Sequence, residues 1–405
     1  MPFAAPHPRR PLTGFGRILL IVCSFAVGSA IALTEAEKQR LSRMFGDREK
    51  QGLAETFRGV ISPEGRREGL FPIKATGVPT EELVTAARAF LATLTAEQRA
   101  RTAFPVDDIE WRKWCNIDNG LYTRQGTSLK EMDAAQRTAA RELMRATLSA
   151  KGLALTDAIR HTDQTLRELN GGDPAYDEEL YFFTVMGAPS ATEPWGWQLD
   201  GHHLIINTFV LGDQVVMTPA FWGGEPVHTT TGKYAGNVIL QDEQDQALAF
   251  MRGLDEAQQS AARLSSRKDL NNIQAEAFKD NAVVPYAGLS ATKLSAAQQQ
   301  QLLAVAALFV NNQREGHAKV KLDEVAAHLD ETWFAWIGGN TPDAVFYYRI
   351  HSPVILIEFD HQRAIGVPDK PNEPTREHIH VVVRTPNGND YGKDLLRQHL
   401  ERHPH

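Results

Sequence analysis

The stretch WGWQLDGHHLIINTFVLGDQVVMTPAFWGG, residues 195–224, governs the interpretation of this chain. Its Asp200-Gly201 pair separates two runs rich in aromatic and β-branched residues, which is the pattern of a β-hairpin with a two-residue turn. The pattern predicts a type I′ turn at this pair, a positive φ at Gly201, and a second strand that begins at His202. Successive side chains of a strand point to opposite faces, so His202 and His203 would lie on opposite faces of a sheet.

The two adjacent histidines are therefore expected to have different roles. The face of His202 continues with Leu204 and Ile206, which are typical core residues, whereas the face of His203 continues to Asn207. This favours His203 as a metal ligand and His202 as a neighbouring catalytic-site residue that orients another group through a hydrogen bond. A turn one residue later would exchange the two faces, and this alternative stays open.

The composition limits the class of protein and its partners. The chain has 405 residues, 42% hydrophobic and 23% charged, which is typical of a globular protein with one or two cores. A net charge of -7 and an isoelectric point near 6.1 leave no basic surface for nucleic acid or for an anionic membrane. We expect a small-molecule or peptide ligand and no nucleic-acid partner.

The N-terminal residues have the features of an export signal. A basic start precedes an apolar run at residues 18–33, and residues 30–32, Ala-Ile-Ala, match the small-x-small pattern that export peptidases recognise. Cleavage near Ala32 would place the protein in the periplasm or outside the cell, without stable membrane insertion. An uncleaved anchor helix stays open as an alternative. The Arg9-Arg10 pair raises a twin-arginine route, although Pro11 makes that match poor.

Cysteine usage agrees with a fold that is stabilised by burial. The chain has two cysteines, and Cys23 lies within the predicted signal, so the mature protein would keep Cys115 alone. No intramolecular disulfide is then possible. A single cysteine between Trp114 and Asn116 is more typical of a buried apolar residue than of a nucleophile.

A short phrase recurs along the chain and predicts where helices begin. It consists of an apolar residue, then Thr, Ser or Asp, then Glu or Gln three positions later, which is the sequence of a capping box. The copies occupy residues 33–37, 94–98, 132–136, 254–258 and 294–298. Their spacing is irregular, so they indicate recurrent capping and not a solenoid repeat.

Helical and strand-like segments alternate in blocks. The predicted blocks are helices over residues 34–169, strands over 181–239, helices over 243–264 and 295–312, strands over 333–384, and a short helix from Lys393. This order predicts an α+β fold, in which a helical N-terminal block joins a mainly antiparallel sheet built from two strand blocks separated by helices. The predicted organisation is a signal peptide (1–32), a helical block (33–170) and an α+β block with the histidine motifs (171–405), forming one compact unit. Residues 170–174 are either a linker or an ordinary loop.

The clearest candidate metal ligands lie near the C-terminus. Residues 378–384, HIHVVVR, alternate like a strand and place His378 and His380 on one face. His399 follows in the predicted final helix. Together with His203, these imidazoles would hold a divalent metal, with zinc, iron and copper as the candidates. Three convergent imidazoles would leave room for water or substrate on a tetrahedral metal.

Charged residues of the neighbouring strands supply further candidate catalytic groups. Glu358 follows four apolar residues, so we expect it to be partly buried, with a perturbed pKa, and to act as a general base. Arg349 shares a strand face with Tyr347 and His351, and Arg384 ends the His-x-His strand. One of these arginines would hold an anionic group of the substrate.

The motifs that carry these residues occur in a specific order. They are Trp195-Gly196-Trp197, Gly201-His202-His203, FAWIG (334–338), YYRI (347–350), IEFD (357–360), HIH (378–380) and the segment 390–399. In their order and residue content these motifs resemble those of the domain of unknown function 3500 family, and the resemblance covers nearly all of the mature chain. The resemblance implies no established reaction. The sequence contains no phosphate-binding Gly-x-x-x-x-Gly-Lys, Gly-x-Ser-x-Gly, His-Glu-x-x-His or Cys-x-x-Cys motif, which disfavours nucleotide-driven chemistry and serine hydrolysis.

Three classes of function are compatible with these residues. The first is an exported metal-dependent enzyme, hydrolytic or oxidative, in which a histidine-held metal activates water or dioxygen. The second is a non-catalytic extracytoplasmic protein that binds metal or another ligand with a saturated coordination shell. The third is a structural role, in which the histidines form hydrogen bonds within the core.

The export signal leads to a first prediction. The mature chain should begin near Leu33, because the basic start, the apolar run and the Ala-Ile-Ala site agree. Mass spectrometry of protein isolated from its native compartment measures the N-terminus directly. Retention of residues 1–32 on the mature protein would reject the cleaved signal.

Overall fold

The computed structural model describes residues 34–269 and 271–403. The predicted signal peptide, with Cys23, lies outside these residues. Within them, the chain forms ten helices and an open, mainly antiparallel sheet of thirteen strands. The predicted α+β fold, with a sheet that combines both strand blocks, is confirmed. None of the helices in this part of the chain is long and apolar enough to cross a membrane.

The helices and strands follow one another along the chain with these bounds. The helices are α1 (Glu35–Ala54), α2 (Glu81–Thr93), α3 (Ala96–Thr102), α4 (Ala134–Thr147), α5 (Ala150–Leu169), α6 (Gln241–Gly253), α7 (Glu256–Ala262), α8 (Ala296–Val310), α9 (Glu315–Ala327) and α10 (Lys393–Arg402). The strands are β1 (Ala103–Phe104), β2 (Thr127–Ser128), β3 (Phe182–Met186), β4 (Trp195–Gly201), β5 (Leu204–Leu211), β6 (Gln214–Val216), β7 (Ala220–Gly224), β8 (Arg263–Ser265), β9 (Leu289–Ser290), β10 (Trp333–Gly338), β11 (Phe346–His351), β12 (Leu356–Arg363) and β13 (Pro374–Arg384).

The sheet joins both strand blocks through one central pair of strands. Its order is β1-β3-β4-β5-β7-β13-β12-β11-β10-β8, with β2, β6 and β9 as short additions beside β3, β5 and β10. Neighbouring strands are antiparallel except in the pairs β1–β3 and β8–β10. The blocks meet where β7 pairs with β13, with Ala220 opposite Val383. The block predicted to be helical also contributes β1 and β2, and the sequence patterns did not indicate α9.

The strand order is symmetric about the β7–β13 pair because the two halves of the chain share one topology. The first half runs α2, α3, β1, β2, α4, α5, β3, β4, β5 and then β6 with β7, and the second runs α6, α7, β8, β9, α8, α9, β10, β11, β12 and β13. Relative to β3, β1 is parallel and β2 antiparallel, as β8 and β9 are relative to β10. The chain is therefore an internal duplication with pseudo-twofold symmetry about the Ala220–Val383 pair.

Two glycines occupy the same place in both halves. Gly126 and Gly288 immediately precede β2 and β9, with φ angles of 92° and 97°. A Cβ atom at Gly126 would lie 2.2 Å from the carbonyl oxygen of Phe183, and one at Gly288 would lie 2.2 Å from that of Phe334. Only glycine tolerates both the left-handed backbone and this close approach. The halves thus share a local constraint as well as an order of elements.

The five capping phrases begin helices, as predicted. Each presents an N-cap side chain with a reciprocal capping box, at Thr34, Thr95, Asp133, Asp255 and Ser295. Four of these residues form two pairs at equivalent points of the two halves: Thr95 with Asp255, and Asp133 with Ser295. The irregular spacing reflects loops of unequal length within a duplicated fold, and the exclusion of a solenoid stands.

The turn of the first hairpin lies two residues later than predicted. Strands β4 and β5 close at the pair Gly201–Leu204, so His202 and His203 form the two-residue turn. His203 has a φ of 59°, whereas Gly201 has no positive φ. The predicted type I′ turn at Asp200-Gly201 is wrong, and so is the alternative of a turn one residue later, because both histidines lie in the turn and β5 begins only at Leu204.

Tertiary contacts explain why Asp200-Gly201 extends the strand. Asp200 is buried and forms an ion pair with Arg124, whose Nε lies 3.1 Å from a carboxylate oxygen. A Cβ atom at Gly201 would lie 2.2 Å from the ring of Tyr181. Gly201 is therefore needed because a ring packs against its backbone, and not because of a left-handed turn.

The two faces of the sheet differ in polarity. The apolar face carries residues such as Tyr348 and Phe359 and packs against helices, with Tyr348 donating to the backbone of Glu243 in α6. The other face, called here the polar face, is covered by irregular segments that include residues 271–287. Strand register places on it Tyr347, Arg349, His351, Glu358, Asp360, His378, His380 and Arg384.

The packing of Tyr181 leads to a second prediction. Gly201→Ala should lower the free energy of unfolding by about 1–3 kcal/mol, because the new methyl group would overlap the tyrosine ring. Urea unfolding of the two proteins measures this difference. Gly46→Ala, in an open position of helix α1, is the matched control and should be neutral or stabilising. Equal unfolding midpoints for Gly201→Ala and the parent protein would contradict the prediction.

Candidate metal centre

The hairpin turn presents His203 towards the central strands of the sheet. The left-handed backbone of His203 is unusual for a residue with a side chain and costs on the order of 1–2 kcal/mol. Backbone hydrogen bonds hold it there: its N–H donates to the carbonyl of Asn116 at 3.3 Å, and its carbonyl accepts from the N–H of Gly223 at 2.8 Å. The turn is thus fixed to β7, the strand next to the His-x-His strand.

Strand β13 supplies the other two histidines. His378 and His380 alternate with Ile379 and Val381, as predicted, and point to the polar face. His380 lies opposite Gly223, where a Cβ atom would be 3.3 Å from the His380 ring. The absence of a side chain at Gly223 therefore leaves space for imidazoles between the turn and β13.

Three imidazoles converge at this place. His378 Nε2 lies 3.2 Å from His203 Nε2 and 2.9 Å from His380 Nε2. Three nitrogen ligands of a tetrahedral zinc ion, each about 2.0–2.1 Å from it, lie about 3.3 Å from one another. The spacing is therefore close to that of ligands of one ion, and the cluster could hold a metal ion. The described residues form no other such group of histidine, cysteine or carboxylate side chains.

Burial keeps these imidazoles neutral. It is the first cause that lowers the pKa of His203, His378 and His380, and the neighbouring histidines lower the pKa of His203 and His380 further. Neutral imidazole is the form that binds a metal. The charge of Glu225 partly opposes the shift at His378, since its carboxylate lies 3.3 Å from Nδ1.

The orientation of His378 is set by its second ring nitrogen. Nδ1 lies 2.7 Å from the carbonyl oxygen of Arg363, so it carries the proton and leaves Nε2 free for a metal. Glu225, the residue that follows β7, reinforces this: it accepts from the backbone N–H of Ile365 at 2.9 Å and of Gly366 at 2.8 Å, which holds the loop after Arg363 against the histidine. Nδ1 of both His203 and His380 has no hydrogen-bond partner among the described residues.

His202, the other turn residue, forms a hydrogen-bonded chain with helix α5. Its Nδ1 lies 2.5 Å from Asp163, and the second oxygen of Asp163 accepts from the hydroxyl of Tyr181 at 2.7 Å. Burial lowers the pKa of His202, but the charge of Asp163, its hydrogen bond and the charge of Asp118 together outweigh burial, so the net pKa is raised. The ring of His202 stacks on that of His203, with 3.9 Å between centroids. His202 thus lies beside the cluster and is oriented by an acid.

His399 does not join the cluster. It lies on α10, in the helix predicted for it, with Nε2 3.4 Å from Glu193 and its ring against that of His403. The predicted fourth imidazole is therefore elsewhere in the structure. Helix α10 leads away from β13 after a left-handed turn at Tyr391 and Gly392.

Glu358 is buried on the polar face but is engaged by other groups. Its carboxylate accepts hydrogen bonds from the N–H of Gln274 and of Ala275, both at 2.9 Å, and from the hydroxyl of Tyr347 at 2.7 Å. Burial raises the pKa of Glu358, as predicted for a buried acid, and these hydrogen bonds offset part of the shift. The structure does not place Glu358 within the histidine cluster, so its contacts hold the covering segment instead.

The two arginines also lie apart from the cluster. Every guanidinium nitrogen of Arg384 has an acceptor, including Asp280 at 2.8 Å and the carbonyl of Ala275 at 2.9 Å. Arg384 thus anchors the covering segment rather than presenting free N–H groups to a substrate. Arg349 is two strands and two residues from His380, which corresponds to roughly 12 Å between Cα atoms.

The sequence patterns missed the groups that support the histidines. Asp163 lies on α5 among buried residues such as Ile159 and Leu166, so a carboxylate on the apolar side of a helix was the available signal. Glu225 stands between Gly224 and Pro226 at the end of a strand, and nothing local marks it as a partner of His378.

The fold and this cluster define the class of the protein: a duplicated α+β protein built on one sheet, with a buried three-histidine group at a hairpin turn. The family described as protein of unknown function (DUF3500) matches residues 76–393, and the chain belongs to this family, as its motifs predicted. The matched range includes all three clustered histidines and His202. Comparison with curated proteins and with solved structures found no match.

Cys115 gives a third prediction. It is buried, and burial raises the pKa of its thiol to about 12, so the reactive thiolate is scarce. A thiol reagent should label Cys115 at least about 1,000-fold more slowly in the native protein than in the unfolded chain, because labelling requires local opening. Peptide mass spectrometry identifies the labelled residue. Rapid labelling of the native protein would show that Cys115 is exposed and reactive.

Proposed function

We propose that this protein is a metal-dependent enzyme that works outside the cytoplasm and uses a divalent ion, zinc, iron or copper, bound by His203, His378 and His380. The observation that carries the proposal is the convergence of their three Nε2 atoms, with His378 Nε2 2.9 Å and 3.2 Å from the other two. Three histidine ligands leave a fourth position for water or substrate, which is the arrangement of catalytic zinc sites, whereas structural sites close all four positions.

The internal duplication supports a functional origin for the histidines. In the second half, the equivalent turn is formed by Pro353 and Val354, closed by a hydrogen bond from Ser352 N–H to the Ile355 carbonyl at 2.8 Å. An apolar two-residue turn therefore closes the equivalent hairpin, and neither Pro353 nor Val354 has a positive φ. The first half instead places His203 in a left-handed conformation, and backbone strain of this kind concentrates at functional sites.

The residues around the metal would have the following catalytic roles. A divalent ion at this site supplies a Lewis acid that polarises water or a substrate carbonyl. Asp163 accepts the Nδ1 proton of His202, so the Nε2 of His202 is available to accept a proton beside the cluster. Tyr181 fixes the other oxygen of Asp163 and thereby the ring orientation. This assigns the general base to His202 rather than to Glu358, with a small molecule or peptide as the substrate.

Metal analysis of variants is the fourth prediction and tests the proposal. Protein purified from its native compartment should contain about one metal ion per chain, and His203→Asn should bind metal at least about 100-fold more weakly. Asparagine is a suitable replacement because it tolerates the left-handed backbone while removing the imidazole. His202→Asn and His399→Asn are matched controls that should keep the metal, since neither ring belongs to the cluster.

Two outcomes would contradict this assignment. Full metal content in His203→Asn would show that the ion binds elsewhere, and a wild-type protein that binds no zinc, iron or copper would leave the cluster a structural element. The coordination shell then separates catalysis from storage. Cobalt substitution and absorption spectroscopy should show an exchangeable ligand beside three imidazoles, whereas a closed shell would favour the non-catalytic metal-binding protein.

A further inference from the structure

Arg349 is a buried arginine whose guanidinium is left with unsatisfied N–H groups. The residue lies in the middle of β11 and is 1% exposed. Its Nη2 donates to the carbonyl of Pro285 at 3.1 Å, but Nε and Nη1, which carry three of the five N–H groups of a guanidinium, have no acceptor among the described residues. A guanidinium cannot lose its proton inside a protein, so the charge persists.

The nearest carboxylate is committed to other partners. Glu358 lies directly opposite Arg349 in the sheet, yet both of its oxygens are taken by the backbone of residues 274–275 and by the hydroxyl of Tyr347. No carboxylate oxygen in the described part of the chain lies within 4.0 Å of the guanidinium nitrogens. Burying a charge without a partner is costly, and buried charges in proteins are normally paired.

A second donor lies beside this arginine on the same face of β11. His351 is 1% exposed, and its ring nitrogens have no well-formed hydrogen bond among the described residues; the one acceptor beside them is the carbonyl of Pro285, which already accepts from Arg349. Burial, then the charge of Arg349, lowers its pKa to about 3, and the carbonyl of Pro285 offsets this only in part. A neutral imidazole still carries one N–H group. The ring of Tyr286 packs over it, with 4.5 Å between centroids.

The first half of the chain shows how the same position is filled without a charge. The residue equivalent to Arg349 is Gln198, and the residue equivalent to Glu358 is Asn207, by strand register. The amide of Gln198 donates to Asn207 at 2.7 Å and to the carbonyl of Trp111 at 3.0 Å. The fold therefore accommodates a neutral, closed pair here, and the charged residue of the second half requires its own explanation.

We propose that Arg349 and His351 form a binding site for a small anion, chloride or a short carboxylate, beneath the segment of Pro285 and Tyr286. The covering segment borders solvent, since Val283, two residues before Pro285, is 51% exposed. The ion pair of Lys268 with Asp360, at 3.0 Å, lies on the strand between Arg349 and the histidine cluster. The site is separate from the metal centre and does not depend on its occupancy.

Thermal unfolding of the full chain at fixed ionic strength tests the site and is the fifth prediction. Sodium gluconate, whose anion is too large for the site, is the reference salt. Sodium chloride or sodium acetate is then added in its place, so that only the identity of the anion changes. The Tm of the wild-type protein should rise by about 2 °C for each tenfold increase in the binding anion. Arg349→Gln, which copies the residue of the other half, should abolish this rise. A response to acetate as well as chloride identifies a carboxylate site, and a response to chloride alone identifies a halide site.

Arg112→Gln is the matched control, because Arg112 is also buried but all three of its guanidinium nitrogens have acceptors. This variant should unfold at a lower temperature and keep the anion response. Equal responses in wild type and Arg349→Gln, or no response in the wild type, would overturn the proposal. Bromide-soaked wild-type crystals give a measurement that needs no variant: anomalous scattering should place a bromide within about 3.5 Å of Nε or Nη1, and a site without bromide would contradict it.

Discussion

The antiparallel pairing of β7 with β13 is the constraint on which the candidate metal centre depends. Gly223 of β7 donates its N–H to the carbonyl of His203 and lies opposite His380. These two ladder contacts bring together residues from different halves of the chain without a dedicated loop. A shift of one residue in either ladder would turn His378 and His380 to the apolar face and dissolve the cluster. The buried Val381 and Ile379 oppose that shift, because it would expose them to the polar face. The register that builds the core therefore also builds the site.

Much of this arrangement could be predicted from the sequence because strand alternation is a local property. Alternation placed His378 and His380 on one face, and the polar residue Asn207 favoured the side of His203. The position of the turn could not be predicted in the same way. An Asp-Gly pair is a strong local signal for a turn, but the ring of Tyr181 against Gly201 and the ion pair of Asp200 are tertiary contacts that local patterns do not contain. The turn lies two residues later than predicted, and His203 still reaches β13 because a turn residue is less bound to one face than a strand residue.

The residues that surround the histidine cluster could not be predicted from the sequence for a different reason. Asp163 and His202 meet because α5 packs on the apolar face close to β7, where Thr162 lies against Gly224. Likewise, His399 was an apparent ligand in sequence, but the direction of α10 after β13 takes it to Glu193. The orientation of a helix relative to a sheet is set by packing over many residues. Patterns of hydrophobicity predict that a helix packs, but they do not indicate which polar side chain arrives at which strand.

The duplication provides an internal reference for deciding which polar residues the fold requires. Positions that match in both halves, such as Gly126 and Gly288, report shared constraints of the backbone. Positions that differ indicate residues that only one half requires. In this comparison, the turn residues His202 and His203 correspond to Pro353 and Val354, and Arg349 corresponds to Gln198. In each pair, one half uses a neutral and self-contained solution, so the backbone does not demand the polar or charged residue of the other half. Since a buried imidazole cluster and a buried guanidinium both cost free energy when left without partners, their presence is better explained by ligands than by stability. The two halves thus share one backbone arrangement and differ in the polar residues that it carries.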